Sequence, residues 1–379
     1  MKVAFYAPLK APDHPVASGD REIARALMQA LSVAGHDVTL ASRLRSYDGR
    51  GDAMRQARLA QIGQRVGRRL VAKYAGASRP DVWFTYHLHH KAPDFPGPLV
   101  SRALGLPYVV AEASIAPRRR DGPWAAGYAH AYAAIRDADT VIFINPADIG
   151  EVRKARGQHA PFAMLAPFID VSRVASRGPA RATAADAPTR LVSVAMMREG
   201  VKLESYCLLA DALIRVRDLR FTLTIVGDGP ARAKVERAFA TLAERVTFTG
   251  ARSTDDVATL LHGNDVFVWP AIGEAIGIAF LEAHACALPV IAGATPGVAA
   301  IIAAGRTGLL VPPGDVDAFA DALRQLIVDA PLRERMRSEA LAHVRAQHDL
   351  PAAARRLDAI LHEVVERHRR AHAAAALPC

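Results

Sequence analysis

The segment Trp269-Pro-Ala-Ile-Gly-Glu274-Ala-Ile-Gly277-Ile-Ala-Phe-Leu-Glu282-Ala-His-Ala-Cys-Ala-Leu-Pro289-Val-Ile-Ala decides how this chain is read. The apolar run 266–269 stops at Pro270, which has no N–H to extend a ladder. A glycine-containing loop then carries Glu274, a helix starts near Gly277, and Pro289 leads into a second apolar run at 290–292. Glu282 falls in that helix among Phe280, Leu281 and Ala283, where a carboxylate costs free energy unless it has partners. If the step from Glu274 to Glu282 were helical throughout, it would rise roughly 12 Å. The N–H groups at the helix start would face an anion.

Working outward, short apolar runs alternate with longer helical patterns in both directions. Strands are expected at 3–7, 38–41, 82–86, 108–111, 141–144 and 163–165, and again at 191–195, 221–226, 246–249, 266–269, 290–292 and 309–311. Helices fall between them, including 21–33, and 146–155 with Asn145 as N-cap and Pro146 at the first position. Such runs predict parallel sheets covered on both faces, hence an α/β protein with two halves. The division is 1–170 for an N-terminal Rossmann-like domain, 171–189 for an Arg/Ala/Pro-rich linker, 190–349 for a C-terminal Rossmann-like domain, and 350–379 for a last helix. That helix has apolar residues at Leu357, Ile360, Leu361, Val364 and Val365, so one face packs on something: the second domain, or the first by a return of the chain.

The chain has 379 residues, 51% apolar and 23% charged, which excludes a disordered chain, a coiled coil or a collagen-like fibre. Its net charge of +10 favours anionic partners. Duplex nucleic acid is a poor fit, because no recognition motif or aromatic platform accompanies the charge. The cysteines, Cys207, Cys286 and Cys379, form no framework and no metal-ligand pair, and no signal peptide is seen, so a cytoplasmic protein is expected. The apolar stretch 276–305 holds Glu282, His284, Pro289 and Pro296 and is not a membrane span. From Arg43 to Arg79 there are ten Lys/Arg and two Asp. Within it, 54–74 forms a basic amphipathic helix carrying Arg55, Arg58, Arg65, Arg68, Arg69 and Lys73. It lies on an anionic membrane, or packs on the core with a solvated basic face. A second cluster is Arg118-Arg119-Arg120.

The Glu274/Glu282 arrangement resembles the E-x7-E signature of retaining GT-B glycosyltransferases of the family 4 group. Three further motifs run in the same order. Ile225-Val-Gly227-Asp-Gly229-Pro230 is similar to the family's turn after a strand, Arg245-Val-Thr-Phe-Thr-Gly250 to its RVxFxG strand, and Gly305-Arg-Thr-Gly308-Leu-Leu-Val-Pro-Pro-Gly314-Asp315 to its GxTGxLVPPGD tail. The resemblance implies a GT-B fold, two Rossmann-like domains facing a cleft, with the last helix returning to the first domain. It implies transfer of a sugar from a nucleoside-diphosphate sugar with retention, Glu274 on the sugar hydroxyls and Glu282 on the ribose. Gly277 would stand at the anion-facing helix start and Gly227 beside the nucleotide. No metal or other cofactor is implied, since protein cations hold the diphosphate.

The chain departs from the family in two places. Where relatives carry Gly-Arg-Leu and then a Lys, it reads Val194-Ala195-Met196-Met197-Arg198-Glu199-Gly200-Val201-Lys202. Met196 stands at the Arg position, leaving Arg198 with Lys202 as the candidate diphosphate clamp. After strand 108–111, Glu112 and Ser114 replace a His-Asp pair, as candidate acceptor contacts. Ala17-Ser18-Gly19-Asp20 occupies the loop where relatives carry Gly-Gly, which makes Ser18 and Gly19 donor-binding candidates. Gly35-His36-Asp37-Val38 matches a GHxV turn. His87, His89 and His90 cluster after strand 82–86, as a polar rim for the acceptor, a metal site or plain surface histidines. Asp315-Val-Asp317 reads as an N-cap rather than a metal motif, and Gly227-x-Gly229 lacks the third glycine of a dinucleotide fingerprint. The acceptor is expected to be a glycan, a lipid-linked sugar or a small molecule, with peripheral contact to the inner membrane face. Rival readings are a non-catalytic GT-B homologue acting as an interaction protein, and another GT-B activity such as an epimerase or phosphorylase.

Overall fold

The computed structural model describes residues 1–16, 18–175 and 187–375. The chain divides into two compact units: Met1–Leu165 joined by the chain from Ala353 onward, and Ala166–Ala352.

The first unit alternates β1 (Lys2–Tyr6), α1 (Gly19–Val33), β2 (Asp37–Ser42), α2 (Ala53–Tyr74), β3 (Val82–Leu88), α3 (Pro96–Leu104), β4 (Tyr108–Ala113), α4 (Ala125–Asp137), β5 (Thr140–Phe143), α5 (Ile149–Arg156) and β6 (Phe162–Met164). The strands pair in parallel in the order β2-β1-β3-β4-β5-β6. Residues 3–6, 82–86 and 141–143 are buried, as apolar strands covered on both faces require. The strand order reverses between β1 and β3, and in such sheets the crevice for a ligand opens beyond the carboxyl ends at that point.

A buried carboxylate anchors this unit. Asp94 accepts hydrogen bonds from Thr85, from the Gly97 N–H at 2.7 Å, from the Tyr108 hydroxyl at 3.0 Å and from Trp83 Nε1 at 3.3 Å. Helix α2 rests on the core through Leu70 and Tyr74, with Val66 and Val71 half-buried against it. A Cβ at Gly63 would strike Phe95, so α2 and α3 meet at close range there. Its arginines at 55, 58, 65, 68 and 69 and Lys73 are exposed. The apolar side of this helix is thus largely engaged in packing, with Met54 at its start exposed, and its charged residues face outward. This is the core-packed arrangement with a solvated basic face, one of the two readings of the segment.

The second unit holds α6 (Val171–Ala175), β7 (Thr189–Val194), α7 (Val201–Arg215), β8 (Phe221–Val226), α8 (Arg232–Ala238), β9 (Val246–Gly250), α9 (Thr254–His262), β10 (Val266–Trp269), α10 (Ile278–Ala285), β11 (Val290–Gly293), α11 (Pro296–Ala299), β12 (Gly308–Val311), α12 (Val316–Val328) and α13 (Ala330–Gln347). Its parallel sheet runs β12-β11-β10-β7-β8-β9, reversing between β7 and β10. Of the stretch read as a linker, residues 176–186 lie outside the described residues. Val171 and Val174 belong to this unit's core, and the first unit ends at Leu165 rather than at 170.

The chain enters and leaves the second unit side by side. The Ile169 N–H donates to the His348 carbonyl at 3.0 Å, the Leu350 N–H to the Ile169 carbonyl at 2.9 Å, and His348 Nδ1 to the Pro167 carbonyl at 2.7 Å. The last helix, α14 (Leu350–Ala375), then serves the first unit. Its Leu357, Ile360, Leu361, Val364 and Val365 are buried, and His368 Nδ1 meets Asp139 at 2.9 Å. Among the described residues no helix is long and apolar enough to cross a membrane.

Candidate functional site

In the second unit the loops after β7 and β10 leave the sheet at the switch point. They carry Arg198 and Glu274, two of the four charged donor-site candidates, and Lys202 follows in the first turn of α7. Lys202 is ion-paired with Glu274 of the loop after β10. Trp269 Nε1 donates to the same carboxylate at 3.4 Å, and Lys202 Nζ lies 5.3 Å from the Trp269 ring. The loop is braced from behind by residues the sequence reading passed over as a turn. Thr295 Oγ1 donates to the Glu274 carbonyl at 2.9 Å, and the Gly293 N–H to the Pro270 carbonyl at 3.1 Å. A Cβ at Gly297 would collide with the Ala275 carbonyl oxygen. The available signal was the glycine at each end of Gly293-Ala-Thr-Pro-Gly297.

Helix α10 starts at Ile278, so Glu274 stands ahead of it and the helical rise expected between the two glutamates does not apply. Gly277 caps the helix in the left-handed conformation, φ 77°, without a side-chain hydrogen bond to the first N–H groups. That leaves those donors facing outward from the helix end. Glu282 differs sharply from Glu274. It is half-buried and makes no hydrogen bond or ion pair among the described residues. Loss of hydration alone pushes its carboxyl up to about 7.

The loop after β7 carries Met196, Met197 and Arg198. Met197 is fully buried while Met196 is 51% exposed, and Arg198 is again exposed. The backbone is held by Ala195 N–H to Val226 O at 3.1 Å, Met197 N–H to Asp228 O at 3.0 Å and Ala231 N–H to Met197 O at 3.0 Å. Positions 196 and 198 therefore both turn away from the core. Arg198 forms no ion pair among the described residues. Gly227 and Gly229 explain how the loop packs so closely. A Cβ on either would strike the carbonyl oxygens of Ala195 and Met197 respectively. The glycine at 227 thus has a packing duty, whatever it does for a nucleotide.

In the first unit the acceptor candidates gather at the ends of β3, β4 and β5. His87 and Glu112 both have positive φ, 61° and 58°, a conformation rare outside glycine and found where a structure over-determines a site. His87 Nδ1 pairs with Asp20 of α1 at 2.9 Å, and this bond, more than any other influence, holds the Asp20 carboxyl below its usual range. Ser18 is spent on capping α1, accepting from the Arg21 N–H at 3.3 Å, while Gly19 opens that helix; Ala17 lies outside the described residues. The His89 ring is 4.9 Å from that of His87. Burial first, then the neighbouring histidines, drives it down to about 3, so it is neutral. Glu112 accepts from the N–H groups of Ile144 and Asn145 at 2.6 and 2.9 Å. Its carboxyl is nevertheless raised by burial. Ser114 hydrogen-bonds Asp148, whose carboxyl burial also raises.

Among the described residues no three His, Cys, Asp or Glu side chains are grouped to hold a metal ion. Asp315 caps α12 by accepting from the Ala318 N–H at 2.9 Å, and Asp317 pairs with Arg215 at 2.7 Å. His36 contacts Asp358 of α14 at 3.3 Å, a tie within the first unit.

Comparison with known proteins finds likeness in the second half of the chain and in the fold. Residues 188–329 match the family of glycosyl transferases group 1. The chain is 36% identical over 157 residues to the alpha-D-kanosaminyltransferase of Streptomyces kanamyceticus, covering 41% of this chain and 40% of that protein. It is 29% identical over 238 residues to a GDP-mannose-dependent monoacylated alpha-(1-6)-phosphatidylinositol monomannoside mannosyltransferase of Corynebacterium glutamicum, covering 59% of this chain and 62% of the relative. The match thus spans less than two thirds of either relative's length. Among solved structures, sucrose-phosphate synthase of Thermosynechococcus elongatus superposes with a TM-score of 0.71 at 20% identity, over 97% of this chain and 99% of that one. Residues 188–329 thus carry a domain of the glycosyl transferases group 1 family, and the two six-stranded parallel sheets have the GT-B fold of the solved glycosyltransferases they resemble.

Proposed function

We propose that the chain is a retaining glycosyltransferase of the family 4 kind, moving a sugar from a nucleoside-diphosphate sugar to an acceptor. The observation that carries this reading is Glu282, a half-buried carboxylate without a partner, set eight residues after the ion-paired Glu274. A desolvated acceptor group of this kind is costly unless a ligand brings donors, and two vicinal ribose hydroxyls are such donors. Glu274 then meets hydroxyls of the sugar.

The leaving diphosphate gains charge in the transition state, and preorganised cations and N–H groups are the means of stabilising it. Arg198 has its whole guanidinium available. Lys202 has three N–H donors, of which one is given to Glu274 and two remain. The uncapped start of α10 adds its N–H groups. In the retaining step the bond from the anomeric carbon to the diphosphate oxygen breaks. An acceptor oxygen bonds that carbon from the same face, and the acceptor proton passes to the leaving phosphate oxygen. No step calls for a metal ion or other cofactor.

The acceptor is assigned to the first unit, at Asp20, His87, His89, Glu112 and Ser114. A lipid-linked acceptor is favoured by the exposed basic face of α2 and by the lipid acceptor in the Corynebacterium relative's name. The protein would then work in the cytoplasm, attached peripherally to the inner face of the membrane. A second reading, nucleotide binding without transfer, draws on Met196 at the position of the family's Arg.

A thermal-shift panel over UDP, GDP, ADP and dTDP sugars tests the donor. A ligand at 100 times its Kd adds about 2.7 kcal/mol, well within detection. No shift with any of them overturns the reading. A shift with neither transfer nor donor hydrolysis selects the second reading.

A further inference from the structure

The first unit holds a second cluster of charge, one that the donor and acceptor assignments do not use. It lies where the chain after β3 meets the turn after β4. Lys91 Nζ is 5.3 Å from the ring centre of Trp124, and the Arg119 guanidinium is 4.5 Å from the same ring. The His90 ring meets Trp124 edge-on at 6.0 Å. None of Lys91, Arg118, Arg119 or Arg120 forms an ion pair among the described residues. His90 Nε2 is buried there without a hydrogen-bond partner. The carboxylate of Asp48, whose carbonyl meets Trp124, is already occupied by the N–H groups of Arg50 and Asp52 and by Gln56 Nε2, at 2.8 to 3.0 Å. Two cations, Lys91 and Arg119, thus share one indole, and neither is ion-paired among the described residues.

The arrangement is rigid. Trp124 Nε1 donates to the Asp48 carbonyl at 3.1 Å, and the Asp48 N–H donates to the Lys91 carbonyl at 2.8 Å. Gln56 bridges the Pro123 carbonyl at 2.7 Å and the Gly127 N–H at 3.0 Å. Gly127 lets α4 press onto the His90 backbone, since a Cβ there would collide with the His90 carbonyl oxygen. Like charges held together at a fixed place are relieved by an anion.

The cluster is also continuous with the proposed acceptor site. His87, His89, His90 and Trp124 form one row of rings, at successive centre distances of 4.9, 5.7 and 6.0 Å. The row starts at the Asp20–His87 pair and ends at the cations.

We propose that Lys91, Arg119 and Arg118, set around Trp124 and His90, bind a phosphate group of the acceptor. This rests on the reading of the first unit as acceptor-binding. It narrows the acceptor to a phosphorylated molecule whose hydroxyl end lies toward His87. Burial and the charges of Lys91, Arg119 and Arg118 all depress His90, which accords with a cationic pocket lacking its anion.

The test compares the full chain with a Lys91→Ala/Arg119→Ala variant. Glucose 6-phosphate and inorganic phosphate are titrated by calorimetry with glucose as control. Phosphatidylglycerol and phosphatidylcholine vesicles are tested by co-sedimentation. Saturable binding of a phosphorylated probe, weakened at least tenfold in the variant, supports the site. A soluble sugar phosphate binding identifies a soluble acceptor, and phosphatidylglycerol vesicles alone binding identifies a lipid headgroup. Nucleoside diphosphate affinity should change less than twofold, showing that the variant is folded. If no phosphorylated probe binds, or the variant binds them as the parent does, the proposal is overturned. Loss of nucleotide binding with phosphate binding intact would sink the transfer reading and leave this site standing.

Discussion

Lys202 and Glu274, 72 residues apart in sequence, meet as an ion pair beneath the edge of Trp269. Each is less than a third exposed, at 25% and 18%, so neither charge is freely hydrated. Removing one leaves the other under-compensated, which costs more than the pair is worth. Glu274→Ala is expected to cut transfer while leaving free nucleoside diphosphate binding nearly intact. Lys202→Ala should weaken nucleoside diphosphate more than nucleoside. A double-mutant cycle on stability should show coupling of about 1 kcal/mol or more. Additivity of the two changes would mean the pair is incidental.

If Glu282 holds the ribose as proposed, donor binding should depend on pH. Its carboxyl is raised to about 7, above its unfolded value, so the unliganded protein holds a proton there that the unfolded chain has released. That contribution to stability is complete below the unfolded value and is lost as pH rises through about 7. On the proposed reading ribose hydroxyls donate to the carboxylate, so the ionised form binds better. Nucleotide affinity should therefore rise about tenfold from pH 6 to pH 8. Glu282→Gln should flatten the profile and weaken binding at pH 8 by roughly 1.5–3 kcal/mol. Calorimetry across that range is the measurement, and a flat profile in the parent protein removes Glu282 from the ribose.

On the proposed reading Arg198 supplies the charge that Met196 lacks. Arg198→Ala should lower nucleoside diphosphate affinity and leave nucleoside affinity unchanged. Met196→Arg/Arg198→Ala should restore much of the loss, because both positions face outward on one loop. Activity should survive EDTA. A strict need for a divalent ion would contradict a clamp made of protein cations.

The basic face of α2 predicts salt-sensitive attachment to anionic membranes. Each Lys or Arg near such a surface contributes about 1 kcal/mol, and the attraction fades once the Debye length falls well below about 10 Å. Co-sedimentation with anionic liposomes should be strong at low salt and lost at high salt. Arg65→Glu/Arg68→Glu/Arg69→Glu should abolish it without changing donor affinity. Since the apolar side of α2 packs on the first unit's core, attachment should leave the bilayer interior undisturbed. No sedimentation at low salt would favour a soluble acceptor.

Much of the fold was legible because each strand is a short apolar run ended by a turn. All twelve expected strands are present, with ends displaced by two residues at most, and the caps at Asn145 and Asp315 follow from local chemistry. The Glu274/Glu282 spacing was legible for the same reason: it lies within one loop and one helix. What stayed hidden depends on long-range pairing. Asp20 was quoted in the sequence but reaches His87 only through the parallel pairing of β1 with β3. Positive φ at His87 and Glu112 has no sequence signature, since neither is glycine. The brace from Thr295 to Glu274 and the His348–Pro167 contact cross 21 and 181 residues, beyond any local pattern.

The passage of α14 into the first unit sets an order of events during synthesis. The first unit is interrupted in sequence, missing from Leu165 until Ala353, whereas the second is one unbroken stretch. At roughly 5–20 residues per second, a ribosome leaves the first sheet without its closing helix for about 10 to 40 s. Throughout that time the apolar surface that later receives Leu357, Ile360, Leu361 and Val364 is uncovered. The nascent chain should therefore engage chaperones through its first half, and release should coincide with the emergence of the last helix. The half of the protein made first is the half finished last.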